Sequence, residues 1–539
     1  MLAHTAPWLF AAAVFNSLAA ADAATSSVET TCSTFTGIVG SNNVTQWLGI
    51  RYAAPPLGNL RFEPPEDPSC KDETQLANIH GPWCLKTGAA ANDTSTSEDC
   101  LFMDIYTPRD ATSESKLPVY FFLQGGGFNE NSNPNLNGQG LVIASNYTII
   151  VVTFNYRVGP WGFITDGDNI TPNNGLRDQR KAMEWVNKYI HSFGGDPGHV
   201  VLGGDSAGAA SISLQMAAFG GKDSGLFHAA AAESVSFGPV LTIEQSQYQY
   251  DNFSAKAGCD VADSLACLRN KTAQELQEVN TNIPYPHSTN TSAPLYMWNP
   301  VIDNDFIRYL TYTAFAKGGF AKIPLIVGDD TNEGTVFTPQ DTSSITESDS
   351  FLKSQFPLLT DRQLREINAL YPNPDNASCP SSGCFWRQLS NAYGDMRYTC
   401  PGQYISSKVA EYGEQSSWNY HYNVEDPTQV AEGYGVPHTV ELNAILGPSY
   451  VSDPPTSYLP GGVNEHVVPV IQHYWISFIR SFDPNKYRYP GSAEWKRWDP
   501  HAENRLLFAT GGKTKMEFVS STQRKQCSYL QSIGVANLQ

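Results

Sequence analysis

Two kinds of apolar pattern alternate along the chain from residue 118 onward. Pro118–Leu123, Thr148–Phe154, Val200–Leu202, Ile323–Val327 and Trp418–Tyr422 are short runs rich in β-branched and aromatic residues. Most lack polar alternation, which suits strands buried on both faces, as in a parallel sheet. Between them, Leu176–Ile190 carries Met183, Val186 and Ile190 at helical spacing, and alanine-rich Ala209–Ala218 has high helix propensity. Repetition of strand, helix and strand with right-handed crossovers predicts a layered α/β fold whose sites gather at the carboxyl ends of the strands. Pro55–Pro68 reads as irregular surface chain, and no internal repeat or low-complexity linker divides the sequence.

The apolar stretch Trp8–Ala21 is too short to span a bilayer, and Ala21-Asp22-Ala23 has the form of a signal peptidase site, although no Lys or Arg precedes it. This predicts a leader over residues 1–23, a mature domain over 24–539, and secretion. No other stretch reaches about 18 uninterrupted apolar residues, so no membrane span is expected. Ten cysteines and eight Asn-x-Ser/Thr sequons agree with an extracellular setting. Neither C-x-x-C nor His-Glu-x-x-His occurs, so disulfides are expected rather than a metal site. With 34 Lys+Arg against 53 Asp+Glu, the formal charge of -19 excludes a phosphate-tracking nucleic-acid binder. The oligomeric state has no signature in the sequence.

The chemistry concentrates at Gly204-Asp205-Ser206-Ala207-Gly208, a G-x-S-x-G between an expected strand and an expected helix. Small residues around the serine permit the sharp reversal that exposes its oxygen at the strand end. The helix that follows points N–H groups at developing negative charge. Gln124-Gly125-Gly126-Gly127-Phe128 follows another expected strand. Its glycines let the backbone approach a bound carbonyl, and no Gly-Lys-Ser/Thr or G-x-G-x-x-G accompanies it, which argues against a phosphate cradle. An oxyanion hole from Gly126, Gly127 and Ala207 is the sharper reading.

Hydroxyl attack on an ester needs a base, normally histidine, oriented by a carboxylate. Of the histidines after Ser206, His438 lies in the turn-rich Gly435-Val436-Pro437-His438-Thr439, whereas His421 falls within an expected strand and His466 and His473 on an expected helix. Glu333, Asp329 and Asp330 all follow the strand Ile323–Val327, and position alone leaves the acid open among the three.

These residues, taken with Gly49-Ile50-Arg51-Tyr52, Pro55–Phe62, Glu98-Asp99-Cys100-Leu101, Asn155–Gly159, Gly175–Gln179, Phe193–Pro197 and the Trp495/Trp498 region, resemble the type-B carboxylesterase/lipase family of cholinesterase type. The resemblance spans nearly the whole mature chain. It implies the α/β-hydrolase fold, a large mostly parallel central sheet with helices on both faces. It implies Ser206 as nucleophile, Glu333 as acid, His438 as base, an oxyanion hole from Gly126, Gly127 and Ala207, and Ser234 as a supporting serine. Gln124 stands where many relatives have histidine, Asp205 where many have glutamate, and Ser234 lies in Glu-Ser-Val rather than Gln-Ser-Gly.

The same resemblance implies the bridges Cys70–Cys100, closing a loop that serves as a lid in lipases, Cys259–Cys267 and Cys400–Cys527. Cys32–Cys84 and Cys379–Cys384 follow by elimination. Arg157–Asp178 and Arg61–Glu98 resemble family ion pairs; the alternative for each is an ordinary surface pair worth under about 1 kcal/mol. The function implied is a secreted serine carboxylester hydrolase acting through an acyl-enzyme, without metal or organic cofactor, on a small-molecule or lipid ester. The polar Cys70–Cys100 segment favours soluble or modest-chain esters. The alternatives are a lipase at an oil–water surface and a catalytically silent binding protein of the same fold.

Overall fold

The computed structural model describes residues 25–222, 224–286, 292–373, 379, 382–412 and 416–539. The expected leader over 1–23, His287 and the sequons at Asn290 and Asn376 lie outside the described residues.

Thirteen strands form one sheet among the described residues. In chain order they are Thr25–Glu29 (β1), Thr34–Val39 (β2), Val44–Arg51 (β3), Gln75–Ala77 (β4), Phe102–Pro108 (β5), Leu117–Leu123 (β6) and Ile150–Phe154 (β7). Gly195–Asp205 (β8), Ala229–Glu233 (β9), Leu325–Asp330 (β10), Ser417–Asn423 (β11), Asn504–Ala509 (β12) and Lys513–Phe518 (β13) follow. The spatial order is β1-β2-β3-β5-β7-β6-β8-β9-β10-β11-β12-β13, with β4 on β2. From β7 to β12 every neighbour is parallel, and the two flanks are antiparallel apart from β4, which lies parallel on β2. This is the α/β-hydrolase fold expected. The five runs read as strands become β6, β7, β8, β10 and β11.

Helices cover both faces, because side chains alternate across a pleated strand. Val119, Phe121, Val200, Leu202 and Val327 pack with Met183 of Asn174–Tyr189 (α1), Ile212 and Met216 of Ala207–Gly221 (α2), and Ile405 of Cys400–Tyr412 (α3). Tyr120, Phe122, Val201 and Ile326 face Val470, Ile471, Tyr474 and Phe478 of Val467–Ser481 (α4). Each such fully buried large side chain contributes roughly 1.5–3 kcal/mol. Regular geometry in α2 stops at Ala218, where the backbone leaves the helical region, close to the end the alanine run predicts. No helix among the described residues is long and apolar enough to cross a membrane.

The cysteine pairing corrects two expectations. Cys70–Cys100 and Cys32–Cys84 do not form; Cys32 pairs with Cys70 and Cys84 with Cys100. The reason is local pairing. β4 lies parallel on β2, and Lys71 N–H donates to Cys32 O at 3.2 Å, so Cys70 arrives beside Cys32. The two-residue strands Trp83–Cys84 and Thr96–Ser97 pair with each other and deliver Cys84 to Cys100 across a 16-residue separation. Cys259–Cys267, Cys379–Cys384 and Cys400–Cys527 form as expected.

The two ion pairs are present, but neither lies on the surface. Arg157 grips Asp178 through two contacts of 2.7 Å, and Arg61 grips Glu98 at 2.5 and 2.7 Å, all four side chains buried. Arg61 and Phe62 thus anchor the otherwise irregular stretch after Pro55. Arg51–Asp99, by contrast, is 29% and 28% exposed. Asp178→Ala should therefore destabilise the protein by about 3–5 kcal/mol through the charge it strands, and Asp99→Ala by under about 1 kcal/mol. Urea denaturation of the two variants compares them directly, and equal losses would contradict this ranking.

Candidate active site

The turn from β8 into α2 places Ser206 at the carboxyl end of the sheet with φ 54° and ψ −117°, a conformation a non-glycine residue holds only under constraint. The constraint is visible. Ser206 N–H donates to Glu233 O (2.9 Å), while Ser206 O accepts from Ala210 N–H (2.9 Å) and Ser236 N–H (3.3 Å). The residue is 8% exposed.

Two strands along, β10 ends at Asp330 and the chain turns through Thr331 and Asn332 to Glu333. Asn332 N–H donates to Val436 O (2.9 Å), and Asn332 Oδ1 accepts from Val436 N–H (3.0 Å). This stitches the Glu333 loop to the loop that carries His438. His438 Nδ1 bonds Glu333 Oε2. The other carboxylate oxygen, Oε1, accepts from Ser234 Oγ (2.7 Å) and Asp330 N–H (2.8 Å). The imidazole rests between the rings of Tyr398 (4.3 Å between centroids) and Phe337 (5.0 Å). Its Nε2 is buried with no hydrogen-bond partner among the described residues. With Nδ1 engaged by the carboxylate, the tautomer that carries its proton there leaves Nε2 as an acceptor.

The three acid candidates separate cleanly. Glu333 meets the histidine, whereas the Asp329 and Asp330 carboxyls are buried and make no hydrogen bond of good geometry among the described residues. Burial, and then the nearby Glu333 and Glu441, push both well above the ordinary carboxylate range. His421 lies within β11, between Glu517 (2.8 Å) and Thr331 (2.8 Å), and His473 bonds Pro469 O (2.6 Å) within α4. Neither turns to Glu333.

The glycine loop is held against the serine turn. Gly125 N–H donates to Asp205 Oδ1 at 2.9 Å. Gln124 fastens the loop from behind: its Nε2 donates to Phe154 O and Asn155 Oδ1, both at 3.0 Å, and its Oε1 accepts from Asn133 N–H (3.0 Å). Gly126 and Gly127 have φ of 110° and 59°, which suits glycine. Their N–H groups, and that of Ala207 at the first position of α2, donate to no backbone acceptor among the described residues. A cleft of about 810 Å³ opens in front of His438, lined by Asn131, Asn133, Asn137, Lys86, Trp83 and Val336 among others.

Sequence reasoning left the roles of Tyr398, Phe337 and Asn332 unassigned. Nothing in an isolated Phe or Tyr marks it as a neighbour of a distant imidazole, and only the pairing of the two loops brings them there. Asp205 differs, because its place inside the serine motif was a usable signal.

Fold and site together define an α/β-hydrolase of the carboxylic ester hydrolase class. The sequence profile of the carboxylesterase family matches residues 24–530, and the chain belongs to that family. It is 31% identical over 494 residues to Secreted lipase 4 of Gibberella zeae, covering 88% of this chain and 86% of that one. Identity to liver carboxylesterase 1F of Rattus norvegicus is 28%, covering 87% of each chain. The crystal structure of EstA from Aspergillus niger matches with a TM-score of 0.91 at 40% identity, covering 96% of this chain and 99% of that one.

Burial pushes the Asp205 carboxyl up from 3.8 to about 6, against the pull of His438 and the Gly125 N–H. An acid raised on folding holds its proton longer in the native state, so it lowers stability as pH rises through the interval from about 4 to 6. Asp205→Asn cannot ionise yet keeps an acceptor for Gly125. It should lose less stability than the parent between pH 4 and 7 in chemical denaturation; parallel pH curves would count against the shift.

Proposed function

We propose that the protein is a secreted serine esterase that works through an acyl-enzyme. Ser206 Oγ attacks the ester carbonyl while His438 Nε2 takes its proton. Glu333 orients the imidazole and stabilises its charged form, and Ser234 and the Asp330 N–H position Glu333. The carbonyl oxygen gathers charge against the N–H groups of Gly126, Gly127 and Ala207, each such donor being worth about 3 kcal/mol in the transition state. His438 passes its proton to the departing alcohol, and a water then repeats the sequence on the acyl-enzyme. The observation that carries this reading is an imidazole engaged by a buried glutamate on one nitrogen and unpartnered on the other.

The reading takes residues 1–23 as a removed leader and 24–539 as one catalytic domain. Five disulfides suit an oxidising compartment, and the Gibberella zeae relative carries the name of a secreted lipase. The asparagine-rich cleft favours soluble or modest-chain esters. A lipase is the second reading, favoured by Trp83 and Val336, which line the cleft while 40% and 49% exposed.

Ser206→Ala should retain the fold and lower kcat by roughly 10⁵–10⁶, and Glu333→Gln by roughly 10⁴. Hydrolysis of p-nitrophenyl esters measures both, and an organophosphate should label Ser206 in the parent alone. Extending the acyl chain decides between the two readings: activity that peaks at short chains supports the esterase, and a surge on emulsified long chains supports the lipase.

A further inference from the structure

Arg397 has no task in the hydrolysis of a neutral acyl group, yet it stands beside the reacting groups. It precedes Tyr398, whose ring packs on His438. Its side chain is 2% exposed, and Nε donates to Ser236 Oγ at 3.0 Å. Ser236 N–H in turn donates to Ser206 O. On its other side the guanidinium lies 5.4 Å from the centroid of the Tyr296 ring, and that ring fills the space where a Gly127 side chain would stand. Arg397 is thus one side chain removed from the nucleophile and one removed from the glycine loop.

A buried guanidinium normally has a carboxylate. Arg61, Arg157 and Arg505, the other buried arginines among the described residues, pair with Glu98, Asp178 and Glu517. Arg397 makes no ion pair with an Asp or Glu among the described residues, and phenols surround it: Tyr285, Tyr296, Tyr393 and Tyr398. Their rings offset part of the lost hydration. Two observations mark where a partner would fit. The Tyr393 hydroxyl is buried beside Arg397 and Tyr398 and makes no hydrogen bond of good geometry among the described residues. A side chain at Gly238 would begin 3.2 Å from Nη2, 3.4 Å from Nη1 and 3.2 Å from Asn299 Oδ1, so a glycine leaves room beside the terminal nitrogens next to that amide oxygen.

We propose that Arg397 receives a carboxylate carried by the acyl part of the substrate, so that the preferred esters are half-esters of dicarboxylic acids. The planar fork of guanidinium donors matches a carboxylate bidentately, and the Tyr393 hydroxyl adds a neutral donor. The alcohol leaves past His438, whose cleft is lined by none of these groups, while the acyl chain lies on the Ser236 and Tyr296 side. A neutral acyl chain there leaves the buried charge unmatched and binds less well. The proposal rests on Ser206 being the nucleophile and adds the chemistry of the acyl group.

The test is hydrolysis by the purified protein, followed by pH-stat, of monomethyl esters of linear dicarboxylic acids from malonic to suberic, against methyl esters of the matching monocarboxylic acids. At one chain length the half-ester should exceed its neutral partner in kcat/KM by about tenfold or more. Arg397→Met should lower that ratio about a hundredfold, Arg397→Lys less, and Gly238→Ala should lower it by crowding the anion. Should Arg397→Met fail to fold, competitive inhibition of the parent by the free dicarboxylate, and not by the monocarboxylate, supplies the same evidence. Faster neutral esters at every length, or variants that slow both series alike, would overturn the proposal while leaving the esterase reading intact. No turnover of either series would instead remove the esterase reading, and this proposal with it.

Discussion

The turn after β8 exists because nothing larger than hydrogen stands at Gly204 and Gly208. A Cβ at Gly208 would lie 1.9 Å from Leu123 O, and one at Gly204 2.8 Å from the same oxygen. That contact lets α2 start against the end of β6, which in turn sets the distance between the serine and the glycine loop. Gly125 repeats the constraint from the other side, since a Cβ there would meet Asp205 Oδ2 at 2.7 Å and Ser206 Cβ at 2.9 Å. The strained backbone at Ser206 costs about 1–3 kcal/mol, and the surrounding strands over-determine it. The Ser206 turn and the glycine loop therefore form one rigid unit rather than two loops that happen to meet.

The acids behind this unit are held away from water. Glu233, Asp330 and Glu441 are all buried, and burial pushes each upward. Glu233 still receives Trp475 Nε1–H (2.8 Å) and Gly204 N–H (3.1 Å), and Glu441 receives the Tyr420 hydroxyl (2.7 Å). Glu333 differs in what it receives: two donors on one oxygen and the imidazole on the other.

The sequence made the middle of the sheet legible and its flanks obscure. β6, β7, β8, β10 and β11 read as strands because burial on both faces leaves nearly unbroken apolar runs. β9, with the sequence Ala-Ala-Ala-Ala-Glu, carries high helix propensity and is a strand through its parallel pairing with β8 on one side and β10 on the other. The antiparallel flanks β1–β5 and β12–β13 have short, mixed patterns that no single period captures. At the site, motif spacing pointed to Ser206, Gly126 and Gly127, but position left Glu333, Asp329 and Asp330 open as acid; family resemblance favours Glu333, and of the three it is the one that bonds His438. The cysteine pairing failed for a related reason. Proximity of Cys32 to Cys70 comes from β4 lying on β2, and a three-residue strand leaves almost no trace in composition.

The bridge from Cys400 to Cys527 joins α3 to the final helix, Ser521–Gly534, across 127 residues. β11, the His438 loop, α4 and the edge hairpin β12–β13 all lie inside that covalent ring, while Ser206 and Glu333 lie outside it. By chain entropy the closure restricts the denatured ensemble by roughly 5 kcal/mol. When the molecule melts, the His438 loop can drift no farther from α3 and the final helix than that ring allows. Reduction opens that ring, and recovery after heating should then depend on the redox state of a bond that takes no part in the chemistry.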